Sequence, residues 1–291
     1  MTDPAKPPRA EHSAPDAAGD VPIPTVRLAG ITGADAVRGP DPTEDYHEAS
    51  RIYPGVVDPT LVGAARLERS LTMRVSATRS VKRYGHRPCV PLPRGDVGPA
   101  TLGDVLRMRR SRRSYGPGAL DLGRLGTLLE AAYGVTGSLS GTPQLLRSAP
   151  SGGALYPLEL YVACRRVATV DPALYHYDPL RHVLELVRPL DPDEAIDSLS
   201  PYPELLAGCP ALVVVTAVFW RSRFKYGARA YRFALLEAGH VAQSFLLAAE
   251  ALGLASTPVG GFYDTLVDSF VGVDGLHEAT VYVLPVGQRA G

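Results

Sequence analysis

Cysteine is scarce in this 291-residue chain, with residues at 89, 164 and 209 only. They form no C-x-x-C step and no paired spacing. That excludes a disulfide framework and a zinc ribbon, and it points to a reducing, cytoplasmic setting. Long apolar runs are also missing, so no spanning helix is expected, and the N-terminus lacks the apolar segment of a secretory signal. Neither sign of charge is in excess: 30 basic side chains meet 30 acidic ones. Nothing global therefore draws the chain to nucleic acid or an anionic membrane. There is no internal repeat. A G-x-S-x-G elbow and a Walker loop are both absent, which excludes the serine-hydrolase and P-loop readings. Glu237 and His240 make an E-x-x-H step, half of a di-iron motif, and Glu44 and His47 repeat the spacing in a Pro-rich stretch. The further carboxylates such a centre needs are not evident. No metal is expected, and His240 reads as a hydrogen-bonded core histidine.

What is present falls into three zones. Residues 1–42 are rich in Pro, Ala, Asp and Gly without apolar periodicity, and a disordered N-terminal tail is expected there. Residues 43–98 form an N-terminal extension that includes DPTEDYHEASRIYP, a segment with aromatic residues and a short helix signal. Residues 99–291 read as the compact domain. Helices are expected over Thr101–Arg110 and after Asp121, which can cap LGRLGTLLEAAYG up to Gly134. LELYVAC is a strand, and ALYHYDPLRHVLELV is a hairpin turning at Asp178-Pro179. Asp191-Pro192-Asp193-Glu194 resembles a capping box. ALVVVTAVF suits a central strand. A long apolar helix follows RFKYGARAYR, Asp264 can cap another helix, and ATVYVLPVG closes the chain as a strand. Helices mixed with few strands and one hairpin give an α+β layered class.

Four stretches carry candidate chemistry. RMRRSRRSYG (107–116) holds five arginines. Such a run reads equally as a solvated face or nucleic-acid patch, but without a second basic cluster it is better sized for one phosphate. Guanidinium forks match phosphate oxygens bidentately, and serine adds a donor. SAPSGGALYP (148–157) and ASTPVGGFYD (255–264) are small and flexible, and their glycines permit close approach of backbone to a planar ligand. Lys225-Tyr226 sits among Arg223, Arg229, Tyr231 and Arg232 at the mouth of the apolar helix. The plain reading is a surface lysine and a packing tyrosine. The sharper one is a lysine that loses charge by desolvation and acts as a base.

RRSRRSY, PSGGALYP and TPVGGFYD, in this order and spacing, resemble the FMN-dependent nitroreductase superfamily over roughly residues 99–289. KYGARAYRFALLEAGHVAQ, with SGGALYP and more weakly YHEASRIYP, resembles one branch of it: the streptolysin-type dehydrogenases that oxidise azolines to thiazoles and oxazoles in ribosomal peptide natural products. The resemblance implies a nitroreductase-like mixed sheet flanked by helices, an intertwined homodimer, and FMN at the dimer interface. Arg109, Arg110, Ser111 and Arg113 match the phosphate-binding stretch. Ser151, Gly152, Gly153 and Ala154 match the loop beside the flavin, with Ala154 where many members carry Asn. Gly260 and Gly261 match the loop on the N5 side, and Arg289 adds a phosphate contact. Lys225-Tyr226 matches the branch's catalytic pair. The implied substrate is a heterocyclised peptide or related azoline, with dioxygen as electron acceptor and a cyclodehydratase as a partner. Two alternatives stay open: an NAD(P)H-dependent nitro- or quinone reductase, and a degenerate, non-catalytic peptide-binding partner.

Overall fold

The structure, a computed structural model, describes residues 42–54, 62–191 and 195–290. The tail, apart from Pro42, and the capping-box residues 192–194 lie outside the described residues. Helix α1 spans Pro42–Ala49, and from His47 onward the chain forms one compact unit. Helices α2 (Val62–Arg69) and α3 (Leu71–Thr78) follow, with Ser70 capping α3 by accepting from the Met73 N–H at 3.2 Å. Next come β1 (Cys89–Pro91) and α4 (Leu102–Met108), which is capped by Thr101. Helix α5 (Leu122–Tyr133) starts where expected, because Asp121 accepts from the Arg124 N–H at 2.9 Å, and it stops at Gly134. The pair β2 (Val135–Ser138) and β3 (Leu145–Arg147) makes a separate two-stranded sheet. The main run is β4 (Leu158–Cys164), β5 (Ala173–Asp178), β6 (Val183–Pro189) and β7 (Ala211–Val218). Then follow α6 (Trp220–Tyr226), α7 (Arg229–Ala251), β8 (Leu254–Ser256), α8 (Asp264–Val271) and β9 (Glu278–Gln288).

The large sheet has the order β1-β6-β5-β4-β7-β9-β8. Each of its ladders is antiparallel, and parallel pairing among the described residues is confined to the isolated bridge Leu120–Val167. Strands β4 and β7 are central and buried on both faces, which is why they read as continuous apolar runs. Alternate residues serve opposite cores. Leu158, Leu160, Val162, Val213 and Val215 pack with α5 and α7, whereas Tyr161, Ala163, Leu212 and Val214 pack with α8. Buried Ala230, Ala234, Ala238, Val241, Ala242 and Phe245 form the inward stripe of α7.

Two local expectations are corrected. Asp264 is the first residue of α8 rather than its cap. Tyr263 occupies the cap position without a side-chain hydrogen bond, and the Asp264 carboxylate instead suits the positive end of the helix. His240 is exposed on α7 and is not a core histidine, because its position turns away from the buried stripe.

Candidate active site

Lys225 and Tyr226 occupy the last turn of a helix of their own. Gly227 separates α6 from α7 with φ 53° and ψ −136°, a conformation that glycine alone adopts readily. The ammonium of Lys225 lies 5.1 Å from the centre of the Tyr226 ring, and that ring meets Phe233 of α7 edge-on at 4.9 Å. Buried charge anchors α6 from below. Arg221 pairs with Glu159, which also binds His176 at 2.7 Å. Burial opposes ionisation of Glu159, but His176 and Arg221 outweigh it and hold the carboxyl down at about 2.

Sequence pieces some seventy residues apart meet here. A Cβ placed on Gly153 would lie 2.6 Å from Tyr226 Oη and 3.0 Å from Lys225 Nζ, and one on Gly152 would lie 3.3 Å from Phe233. A side chain at Gly153 would push both tips away from the turn, and its φ of +66° favours glycine. The turn is tightly wound, since Ala154 and Tyr156 also have positive φ, 52° and 47°. Its own groups hold it: the Tyr156 N–H donates to Ser151 Oγ at 2.9 Å, and the Arg147 N–H donates to Tyr156 Oη at 3.0 Å.

Behind the turn lies an acid that the sequence reading weighed only as half of a metal motif. Glu237 is 2% exposed and accepts from Tyr133 Oη at 2.6 Å. It borders a cavity of about 270 Å³ with Ser151, Gly152, Phe233 and His240. Burial pushes its carboxyl up to about 7, against hydrogen bonds from Ser151 and Tyr133 and the charge of Arg147. Tyr133, which no sequence signal marked, is wholly buried, and the Arg147 guanidinium stacks 4.4 Å over its ring.

The arginine stretch forms a second group. The Arg112 N–H donates to the Ser256 carbonyl at 3.0 Å, and Tyr115 pairs with Arg289 across an antiparallel bridge. This stitches residues 109–116 to the C-terminal strand. Arg112 and Arg289 converge on Glu250, at 3.6 and 2.8 Å, and Arg289 also donates to the carbonyls of Leu254 and Glu250. Arg110 folds back on the carbonyls of Arg107 and Arg109, at 2.9 and 2.8 Å. Arg109, Ser111 and Arg113 form no side-chain hydrogen bond or ion pair among the described residues, so their donors are open to a ligand. Gly260 and Gly261 follow the bridge from Val259 to Val283, and the Gly261 carbonyl accepts from Ser200 Oγ at 2.6 Å. Among the described residues no hydrogen bond or ion pair joins the two groups. Their anchors on α7, Glu237 and Glu250, stand about 20 Å apart along the helix at 1.5 Å per residue.

The extension also reaches the first group, which the sequence did not show. Arg229 and Arg232 donate to the carbonyls of Ser50 and His47, at 3.1 and 2.6 Å. Gly63 of α2 sits so close to α6 that a Cβ would collide with the Phe224 carbonyl oxygen.

Known proteins share this arrangement of strands and helices. A nitroreductase-like protein of Methanocaldococcus jannaschii, MJ1384, is 36% identical over 196 residues, covering 67% of this chain and 94% of that protein. The microcin B17-processing protein McbC of Escherichia coli is 34% identical over 134 residues, and the trifolitoxin-processing protein TfxB of Rhizobium leguminosarum is 29% identical over 178. The matches take in 44% and 57% of this chain and about half of each of those proteins, 49% and 46%. Among solved structures, a nitroreductase-type protein of Ralstonia eutropha superposes with a TM-score of 0.60 at 27% identity, covering 73% of this chain and 94% of that one. A chain of the Escherichia coli McbBCD microcin synthetase complex with truncated pro-MccB17 superposes with a TM-score of 0.55 at 23% identity. That likeness is one of fold, and it covers 91% of this chain and 98% of the other. A profile of the nitroreductase family matches residues 106–288, the span that holds both groups of candidate residues except Arg289, and the chain belongs to that family.

Proposed function

We propose that this chain is an FMN-dependent dehydrogenase that oxidises thiazoline or oxazoline rings of a peptide natural product to thiazole or oxazole. The observation that carries the reading is the convergence of Lys225 Nζ and Tyr226 Oη on Gly153. A basic and a phenolic group there close directly on a turn of bare glycine backbone. The partial matches to two peptide-processing proteins point the same way.

The residues present fit FMN. Arg109, Ser111 and Arg113 offer unspent donors of the kind a phosphate takes, with Arg110 and Arg289 beside them. Ser151, Gly152, Gly153 and Ala154, and across the site Gly260 and Gly261, supply backbone against a ring. Bound FMN would accept a hydride and pass the electrons on to dioxygen. The protein's part is proton transfer and position. Lys225 takes the second hydrogen as a proton from the azoline ring, and Tyr226 orients that ring or relays the proton. The two groups lie at opposite ends of α7, and we place a ligand touching both between two copies of the chain. Exposed Leu235 and Leu236 on α7, with Leu102, Leu106 and Met108 on the adjoining α4, offer an apolar face for such a homodimer. A cyclodehydratase that forms the azoline would be the partner supplying substrate.

Mass spectrometry of a heterocyclised peptide tests the reading directly. The expected result is a loss of about 2 Da per ring, the mass of two hydrogens. Steady NAD(P)H oxidation with a nitroaromatic, and no mass loss from the peptide, would instead assign the chain to the reductases.

A further inference from the structure

We propose that the Glu237 carboxyl is the positioning group that fixes the Ser151–Ala154 turn against Lys225 and Tyr226. Its relevance to turnover rests on the function proposed above, but the positioning itself does not. The turn places two non-glycine residues, Ala154 and Tyr156, at positive φ. Such backbone persists only when its surroundings over-determine it. The surroundings consist of a short chain of hydrogen bonds. Leu158 N–H donates to Tyr133 Oη at 3.3 Å, Tyr133 donates to Glu237, and Ser151 borders the same small cavity as that carboxyl. Ser151 Oγ then receives the Tyr156 N–H. Glu237 is thus the junction between helix α5, helix α7 and the turn.

The groups facing this junction are few. Tyr133 comes from α5, Arg147 from β3, and Ser151 and Tyr156 from the turn. His240 lies one turn along α7, and Lys225 and Tyr226 lie beyond Gly153. The nearest guanidinium, Arg147, is spread over the rings of Tyr133 and Tyr156 and donates to the Ser80 carbonyl, with no ion pair to Glu237. A neutral carboxyl therefore suits the junction better than an ionised one. With the turn closed, burial holds its carboxyl up to about 7, and opening to solvent would return it toward the ordinary value of 4.5. The raised value means that closure is fully favoured below the open-state value, weakens as pH rises between the two, and is weakest above 7.

Hydrogen exchange on the ligand-free full-length protein tests this. The amides to follow are those of Arg147, Ala154, Tyr156 and Leu158, corrected for intrinsic exchange. Their protection should fall roughly tenfold between about pH 6 and about pH 8.5, the change that linkage gives for a group held 2–3 units above its open-state value. Glu237→Gln, which keeps a neutral donor and acceptor, should be protected and flat across the range. Tyr133→Phe, which removes a donor to the carboxylate, should move the step to higher pH. Glu237→Ala should lose protection at every pH; if it does not fold, the Gln and Phe variants still decide. A flat wild-type profile, or a step that survives in Glu237→Gln, overturns the proposal. FMN retention, measured separately by absorbance, reports on the functional reading. A protein that ignores FMN yet loses its pH step in Glu237→Gln would sink that reading and leave the positioning role standing.

Discussion

The two groups of candidate residues are held in opposite ways. The arginine group, residues 109–113 with Arg289, is fixed through backbone pairing to Ser256 and to the end of β9. Glu250 neutralises Arg112 and Arg289, while Arg109, Ser111 and Arg113 keep their donors for something else. The Ser151 turn with Lys225 and Tyr226 is the reverse. Ser151, Tyr156 and the Arg147 N–H are bonded to one another, Gly153, Ala154 and Tyr156 sit in left-handed conformations, and the acid behind the turn is buried. The contrast is what binding and chemistry separately require. A phosphate needs unsatisfied cationic donors at the surface, whereas a reacting ring needs groups that cannot drift.

The largest expected effect tests whether the second group alone carries the chemistry. Lys225→Ala and Tyr226→Phe should keep the yellow colour and the dimer but lose turnover by about 10²–10⁴-fold, the usual scale for general acid–base catalysis. Near wild-type oxidation with flavin bound would make the pair structural and dissolve the contrast. Next in size, Arg109→Ala or Arg113→Ala should weaken FMN retention by roughly 1.5–3 kcal/mol each, read by flavin release on dilution, because a charge-assisted contact is lost. Turnover at saturating FMN should hold. If these variants lose chemistry and not cofactor, the division of labour is wrong.

A mixing experiment sharpens the geometry. At an FMN concentration low enough to leave Arg113→Ala empty, Lys225→Ala and Arg113→Ala chains, unfolded and refolded together, should recover up to about a quarter of wild-type activity. Half of the dimers would then pair the two variants, and one of their two sites would be intact. No recovery would mean that each site lies within one protomer. The smallest effect is a control remote from both groups. Asp121→Ala removes the cap of α5 and should cost about 1 kcal/mol, seen as a fall of a few degrees in Tm with cofactor retention unchanged.

Much of this was legible in the sequence. Asp121 and Gly134 bracket α5 because capping is a local matter, and ALVVVTAV announced a strand buried on both faces. The turn at Asp178-Pro179 formed because Asp178 Oδ1 accepts from the Leu180 and Arg181 N–H groups, at 2.8 and 3.2 Å. The break at Gly227 was not legible, since one glycine inside an apolar pattern reads as tolerated. Nor was the pairing of Arg229 and Arg232 with the carbonyls of Ser50 and His47, because partners 179 and 185 residues apart leave no periodic trace.

Composition and pattern alone determined that this chain would bury a sheet between helices, and they marked four short stretches as candidates for its chemistry. Hydrophobic period, caps and glycines act over a few residues, and a few residues can be read in line. Only the tertiary structure decided that the SGG turn meets Lys225 and Tyr226, that the arginines face elsewhere, and that Glu237 sits at the junction behind the turn. Those outcomes depend on which strands neighbour one another and on where an acid loses its water. Both are properties of the packed chain and not of any segment within it.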